Sequence, residues 1–252
     1  VKWFRQRRRR KVLSQPFPSA WEPILERLPI HARLPGPDHA EWRETIQILL
    51  SEKRFEGCAG VEITDEIRVT IAAHAAVLLL HRETDYFPQL GSILVYPDAY
   101  EAPSEEPIGE YLVEEGTEVR EGESWYRGEM VLSWKDVRRD VRDTKSGRNV
   151  VFHEFAHQLD DESGAADGTP VLEDRELWRR WMEVFEREYE ALIEADDRGR
   201  RTLIDPYGAE NPAEFFAVVT ESFFKRGAKL GERHPELYDL LAAYYRQDPA
   251  GW

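Results

Sequence analysis

The sequence contains a single cysteine, Cys58, in 252 residues. A lone thiol closes no disulfide within its own chain, so a disulfide-stapled scaffold and a cysteine-rich zinc ribbon are both excluded. Cys58 reads as a small buried residue. Long hydrophobic runs are also missing. The longest, Ile71 to Leu80, is broken by His74 and falls short of the ~20 residues a bilayer span needs. The basic N-terminus leads into no apolar segment, so no secretory signal is expected. Positive charge is scarce: 34 Lys and Arg stand against 49 Asp and Glu, a formal net charge of −15. That balance argues against nucleic acid as the main partner. A globular protein of a reducing, cytoplasmic compartment is the expectation.

The exception to the acidic balance is residues 2–11, KWFRQRRRRK, with seven Lys and Arg. They read as a solvated or frayed basic arm, 1–11, ahead of one domain, 12–252. Contact with an anionic membrane surface or an acidic partner is the sharper alternative. Helical patterning follows over about 20–33, 38–53 and 65–82. Thr64 is the N-cap of the third of these, and its apolar character almost all round marks a buried central helix. Residues 90–134 change texture, with strand signals at 92–97, around 111–113 and at 126–134. Helical periodicity returns at about 145–159, 173–196, 212–225 and 235–246. The aromatics of 173–196, Trp178 and Trp181 among them, read as core. Helices, a small sheet and helices again predict an α+β fold, mainly helical, with a small mixed or antiparallel sheet.

The chemistry resides in NVVFHEFAHQLDD, residues 149–161. His153 and His157, four apart in a helix, face the same way and can bind one metal ion. Glu154 projects beside that site and is placed to take a proton from an activated water. A catalytic zinc site needs a third protein ligand. The metzincin extension fails, because Asp160 and Ser163 occupy its Gly and His positions. His31, His39, His74, His81 and His234 are the other histidines. A carboxylate from a later segment is the better candidate, and Asp205, Glu210, Glu214 and Glu221 all qualify. Asn211-Pro212-Ala213-Glu214 also scores as a helix start, with Asn211 the cap and Pro212 the first helical residue. Asp160 and Asp161 are candidates to orient a ligand histidine. The strand ending Met130 to Trp134 is expected at a sheet edge, where it would pair with an extended substrate.

FHEFAHQLD followed by PYG, NPAEFFA and ESFF, with TDEIRVTIAAHAAVLLL and LSW upstream, resembles the MtfA (Mlc titration factor A) family of zinc peptidases. The likeness runs from about residue 12 to 246. That family has a gluzincin-type site distantly similar to the catalytic domain of anthrax lethal factor. The resemblance implies a zincin-like fold and one zinc ion held by His153, His157 and Glu214, with Glu154 as general base. It also implies that the Tyr207 hydroxyl points at the oxyanion. Aminopeptidase-type hydrolysis of a peptide or protein is the implied activity. The alternative is a regulatory protein that sequesters a transcriptional repressor, since characterised members bind the glucose-system repressor Mlc.

Overall fold

The computed structural model describes residues 2–98, 100–107, 113–120, 122–125, 128–172 and 174–252. Its elements are, in order, α1 (Lys2–Leu13), α2 (Glu22–Glu26), α3 (Pro29–Arg33), α4 (His39–Glu52), β1 (Arg54–Gly57), α5 (Asp65–Val77), β2 (Ser92–Tyr96), β3 (Tyr100–Pro107), β4 (Val113–Arg120), β5 (Gly122–Trp125), β6 (Glu129–Ser133), α6 (Trp134–Arg142), α7 (Val150–Asp161), α8 (Arg175–Asp197), α9 (Pro212–Arg233) and α10 (Pro235–Tyr245). The fold is α+β and mainly helical.

α5 is the central helix. The Thr64 hydroxyl accepts the Ile67 amide at 3.3 Å, and Asp65 and Glu66 fill the first turn, where the helix dipole favours negative charge. From Val69 to Val77 every residue is buried. α5 packs on α4, α2 and α7, and α7 packs in turn on α9. Phe152 of α7 joins three of these layers, with its ring 5.6 Å from that of His74 on α5 and 5.1 Å from that of Phe224 on α9. Truncating such a buried ring costs about 3–5 kcal/mol.

The sheet runs β1-β2-β6-β5. β1, β2 and β6 are parallel, with Val95 opposite Leu132, and β5 is antiparallel to β6. The parallel β1–β2 pair needs a crossover, and α5 lies in it. β3 and β4 form a separate antiparallel hairpin. The mixed sheet therefore has a parallel centre. β6 is not an edge, because β2 and β5 flank it and Met130 to Ser133 are buried. The expectation that this strand pairs with substrate is overturned. Its continuous apolar run marks a strand enclosed on both sides.

Several boundaries differ from the sequence reading. The stretch 20–33 is two short helices, since Leu28, preceding Pro29, is extended at ψ 127°. α7 starts at Val150 rather than near 145. α6 has no counterpart among the helices expected from the sequence, because WKDVRRDVR buries only one stripe, Asp136, Val137, Asp140 and Val141. In the strand signals around 111–113 and at 126–134, residues 111, 112, 126 and 127 lie outside the described residues. On α8, Trp181 is buried but Trp178 is exposed, and Cys58 is only partly buried. The basic stretch 2–11 is helical rather than frayed. Arg9 forks onto Glu52 at 2.8 Å and reaches Asp85 at 2.7 Å, and Arg5 meets Asp85 at 2.8 Å.

Candidate metal centre

Asn149 starts α7 with an extended backbone at φ −157°, and its side-chain oxygen accepts the Val151 and Phe152 amides at 3.1 Å. Val150, Val151, Phe152, Phe155, Ala156 and Leu159 are buried. Burial of that face fixes the rotation of α7. His153 and His157 are thereby presented together, with their Nε2 atoms 3.2 Å apart. Glu154 is 3% exposed.

α9 brings the carboxylates. The Asn211 side chain accepts the Glu214 amide at 3.0 Å, and Pro212 stands in the first turn. Glu214 Oε2 lies 2.9 Å from His153 Nε2, and Oε1 lies 3.4 Å from His157 Nε2. His153, His157 and Glu214 each offer a donor atom, and these atoms lie within 4.8 Å of one another. Glu221 is seven residues further along α9 and so on the same face. Its Oε1 lies 2.9 Å from His153 Nδ1, and its Oε2 accepts the Asn149 backbone N–H. A proton on Nδ1 serves that contact and leaves the Nε2 lone pair free toward His157 and Glu214.

The electrostatics favour a cation. Burial works against a proton on His153. Hydrogen bonds to Glu214 and Glu221, with the charges of Glu221 and Glu154, outweigh it and hold the His153 pKa well above that of a free imidazole. Burial raises the Glu214 carboxyl, but hydrogen bonds from His153 and His157 win and bring it to about 2. Burial lifts the Glu221 carboxyl, only partly offset by His153.

Tyr207 lies in a 3₁₀ turn, Pro206–Ala209, whose start is fixed by the Asp205 carboxylate accepting the Tyr207 amide at 3.1 Å. The Tyr207 ring is 48% exposed and its centroid is 6.0 Å from that of His153. On the other flank, the Gly168 amide donates to Asp160 Oδ2 at 2.7 Å, and the Gly168 carbonyl accepts from Trp181 Nε1 at 3.2 Å. Gly168 has φ +80°, and a Cβ there would overlap the Pro212 carbonyl at the head of α9.

A sequence profile described as glucose-regulated metallo-peptidase M90 matches residues 3–246, a span that contains every one of these side chains. The chain belongs to the M90 metallo-peptidase family. Among M90 relatives, an uncharacterised protein of Synechocystis sp. is 43% identical over 244 residues, covering 96% of this chain and 89% of that protein. Mlc titration factor A of Pectobacterium atrosepticum is 33% identical, and that of Klebsiella pneumoniae 31%, each over 91% of this chain and 86% of the relative.

The donor set of this M90 chain fits a metal ion. Two imidazole nitrogens and a carboxylate oxygen are the ligands of a three-protein-ligand catalytic site. Glu214 Oε2 is buried, with His153 Nε2 at 2.9 Å and no other partner among the described residues. Glu214 and Glu221 both reach His153, at 2.9 Å each, a negatively charged lining that a bound cation would balance.

Of the sequence candidates, the structure gathers His153, Glu154, His157, Tyr207 and Glu214 in one place. Asp205 is a turn cap, and Glu210 is exposed at the end of the same turn. Asp160 holds Gly168, and Glu221 contacts the cluster histidine His153. The remaining histidines lie elsewhere. His31 and His39 pack with Trp42, His74 is buried against Phe152, His81 faces Asp38 and Glu41, and His234 faces Glu188. The seven-residue spacing from Glu214 was the signal that could have revealed Glu221 as a partner of His153.

Proposed function

We propose that this M90 metallo-peptidase is a zinc-dependent enzyme of aminopeptidase type. His153, His157 and Glu214 hold the ion, Glu154 is the general base, and Tyr207 is the oxyanion donor. The observation that carries this reading is the convergence of two Nε2 atoms and one carboxylate within 4.8 Å, with Glu154 buried one residue along the same helix. Zinc held there supplies a Lewis acid that acidifies a water and polarises a peptide carbonyl. Glu154 accepts the water proton and returns it to the departing amine. Tyr207 donates its hydroxyl to the carbonyl oxygen as charge builds on it. Glu221 keeps the His153 proton on Nδ1. The buried apolar residues around α7 shield Glu154 from bulk water, which strengthens its interactions. β5, one of the two outer strands of the sheet among the described residues, packs against α7 and is the edge offered to an extended peptide.

The test is product analysis by mass spectrometry on free and N-acetylated peptides, with wild type beside Glu154→Gln. Loss of single N-terminal residues from free peptides alone, absent in the variant, is the expected result. Internal cuts dependent on Glu154 would refute the aminopeptidase assignment. Products undiminished in the variant would remove Glu154 from the mechanism.

A second reading has its own support in the names of two relatives, Mlc titration factor A. In it, this chain binds a transcriptional repressor and the peptidase site is secondary. A Glu214→Gln variant that still captures an Mlc-type repressor would favour it, and loss of capture with the metal would count against it.

A further inference from the structure

α1 carries no acidic residue and seven cationic ones, in a chain of net charge −15. Its two faces differ. Arg5 and Arg9, one turn apart, are committed to Asp85 and Glu52, and the Arg9 ring contact with Tyr86 at 4.5 Å adds to that anchor. Val12 and Leu13 are half-buried on the same side. The opposite face holds Trp3, Phe4, Arg7, Arg10 and Lys11, all exposed. At 61% and 71% exposure, Trp3 and Phe4 are the two most exposed large hydrophobic side chains among the described residues. Their rings pack edge to face at 5.0 Å, and the Arg7 guanidinium lies 5.8 Å from the Trp3 ring.

This arrangement sets two costs side by side. Arg7 and Lys11 are like charges four residues apart, which destabilises a helix unless a counter-charge is supplied. Adjacent exposed aromatic rings lose favourable free energy to water unless something apolar covers them. A soluble acidic polymer would relieve only the first. An anionic bilayer relieves both at once, with phosphates for the cations and the headgroup–acyl boundary for the rings. Because Arg5 and Arg9 face inward, the helix can offer this surface without leaving the domain.

We propose that the outer face of α1 docks this protein onto anionic lipid bilayers, with Trp3 and Phe4 as the inserting rings and Arg7, Arg10 and Lys11 as the phosphate contacts. The contact is peripheral; no helix among the described residues is long and apolar enough to cross a membrane.

The experiment is co-sedimentation of the full chain with phosphatidylglycerol–phosphatidylcholine vesicles and with pure phosphatidylcholine vesicles. Binding to the anionic vesicles alone, weakened by salt, is expected. Neutralising Arg7, Arg10 and Lys11 to Gln should weaken it by about fivefold per charge. Trp3→Ser with Phe4→Ser should weaken it by about tenfold or more. Both variants keep Arg5 and Arg9, and their melting temperatures and peptidase activity should match wild type. Equal binding to both vesicle types would overturn the proposal. So would anionic binding that the aromatic variant leaves unchanged, or capture by polyglutamate or DNA that the vesicles fail to compete.

Discussion

Glu221→Gln preserves shape and removes one charge and one acceptor. In the native site each Glu221 oxygen takes one N–H, Oε1 from His153 Nδ1 and Oε2 from the Asn149 backbone. A glutamine has a single acceptor oxygen, so in either orientation its NH₂ faces one of those donors. An unsatisfied buried donor costs about 1–3 kcal/mol. If the oxygen stays with Asn149, His153 must move its proton to Nε2 to accept from the new amide. That blocks the nitrogen that faces His157 and Glu214. Losing the outer partner of a ligand histidine weakens metal binding by about 10–100-fold, or about 1.4–2.7 kcal/mol. The assay is competition for zinc against a chromophoric chelator, paired with thermal melts of metal-free protein. The variant should bind zinc in that weakened range and melt earlier even without metal. Zinc affinity matching wild type, in a protein whose His153→Ala form binds none, would refute the tautomer argument.

Three further outcomes follow from the structure. Tyr207→Phe should lower kcat by about 10²–10³-fold with little change in KM or melting temperature, because the half-exposed ring donates only as charge develops; steady-state kinetics with a melt checks this. Chelation should remove activity and lower the melting temperature by about 5–10 °C where zinc had stood at about a hundred times its dissociation constant, and added zinc should restore both. His74, buried on α5 and bonded to the Thr70 carbonyl, has its pKa pushed down by burial to about 4. The unfolded chain takes up that proton near 6.5, so folding stability is lost as pH falls from about 6.5 through 4, by about 3 kcal/mol in all. Urea unfolding across that window should show a shallower fall for His74→Gln than for wild type.

The four-residue spacing of His153 and His157 and the apolar flanks of α7 survive translation into structure because helix geometry is local. Glu214 has two readings in the sequence, helix cap partner and third metal ligand, and its geometry is compatible with each. Asn211 caps its amide, and that fixes where its carboxylate reaches. What the sequence hid depends on contacts between distant segments. β1 has four residues and too little pattern to stand out. β6 reads like any apolar strand, and only the antiparallel β5 beyond it shows that it is not an edge. Glu221 was visible as a carboxylate near the site, but its choice of His153 Nδ1 and the Asn149 amide required α7 and α9 to be placed together. Arg5 and Arg9 looked like their basic neighbours until Asp85 and Glu52, far along the chain, came to meet them.

Gly168 has no side chain to offer the candidate metal site. Yet the space a methyl group would need there belongs to Pro212, two residues from Glu214. A substitution at Gly168 has to push the head of α9 outward or pull the turn away from Asp160 and Trp181. Either movement changes where Glu214 reaches before it disturbs the core behind α5. Variants at this position should therefore stay folded while losing metal. A screen for weakened metal binding would trace the fault to a loop whose contribution to the site is an empty volume.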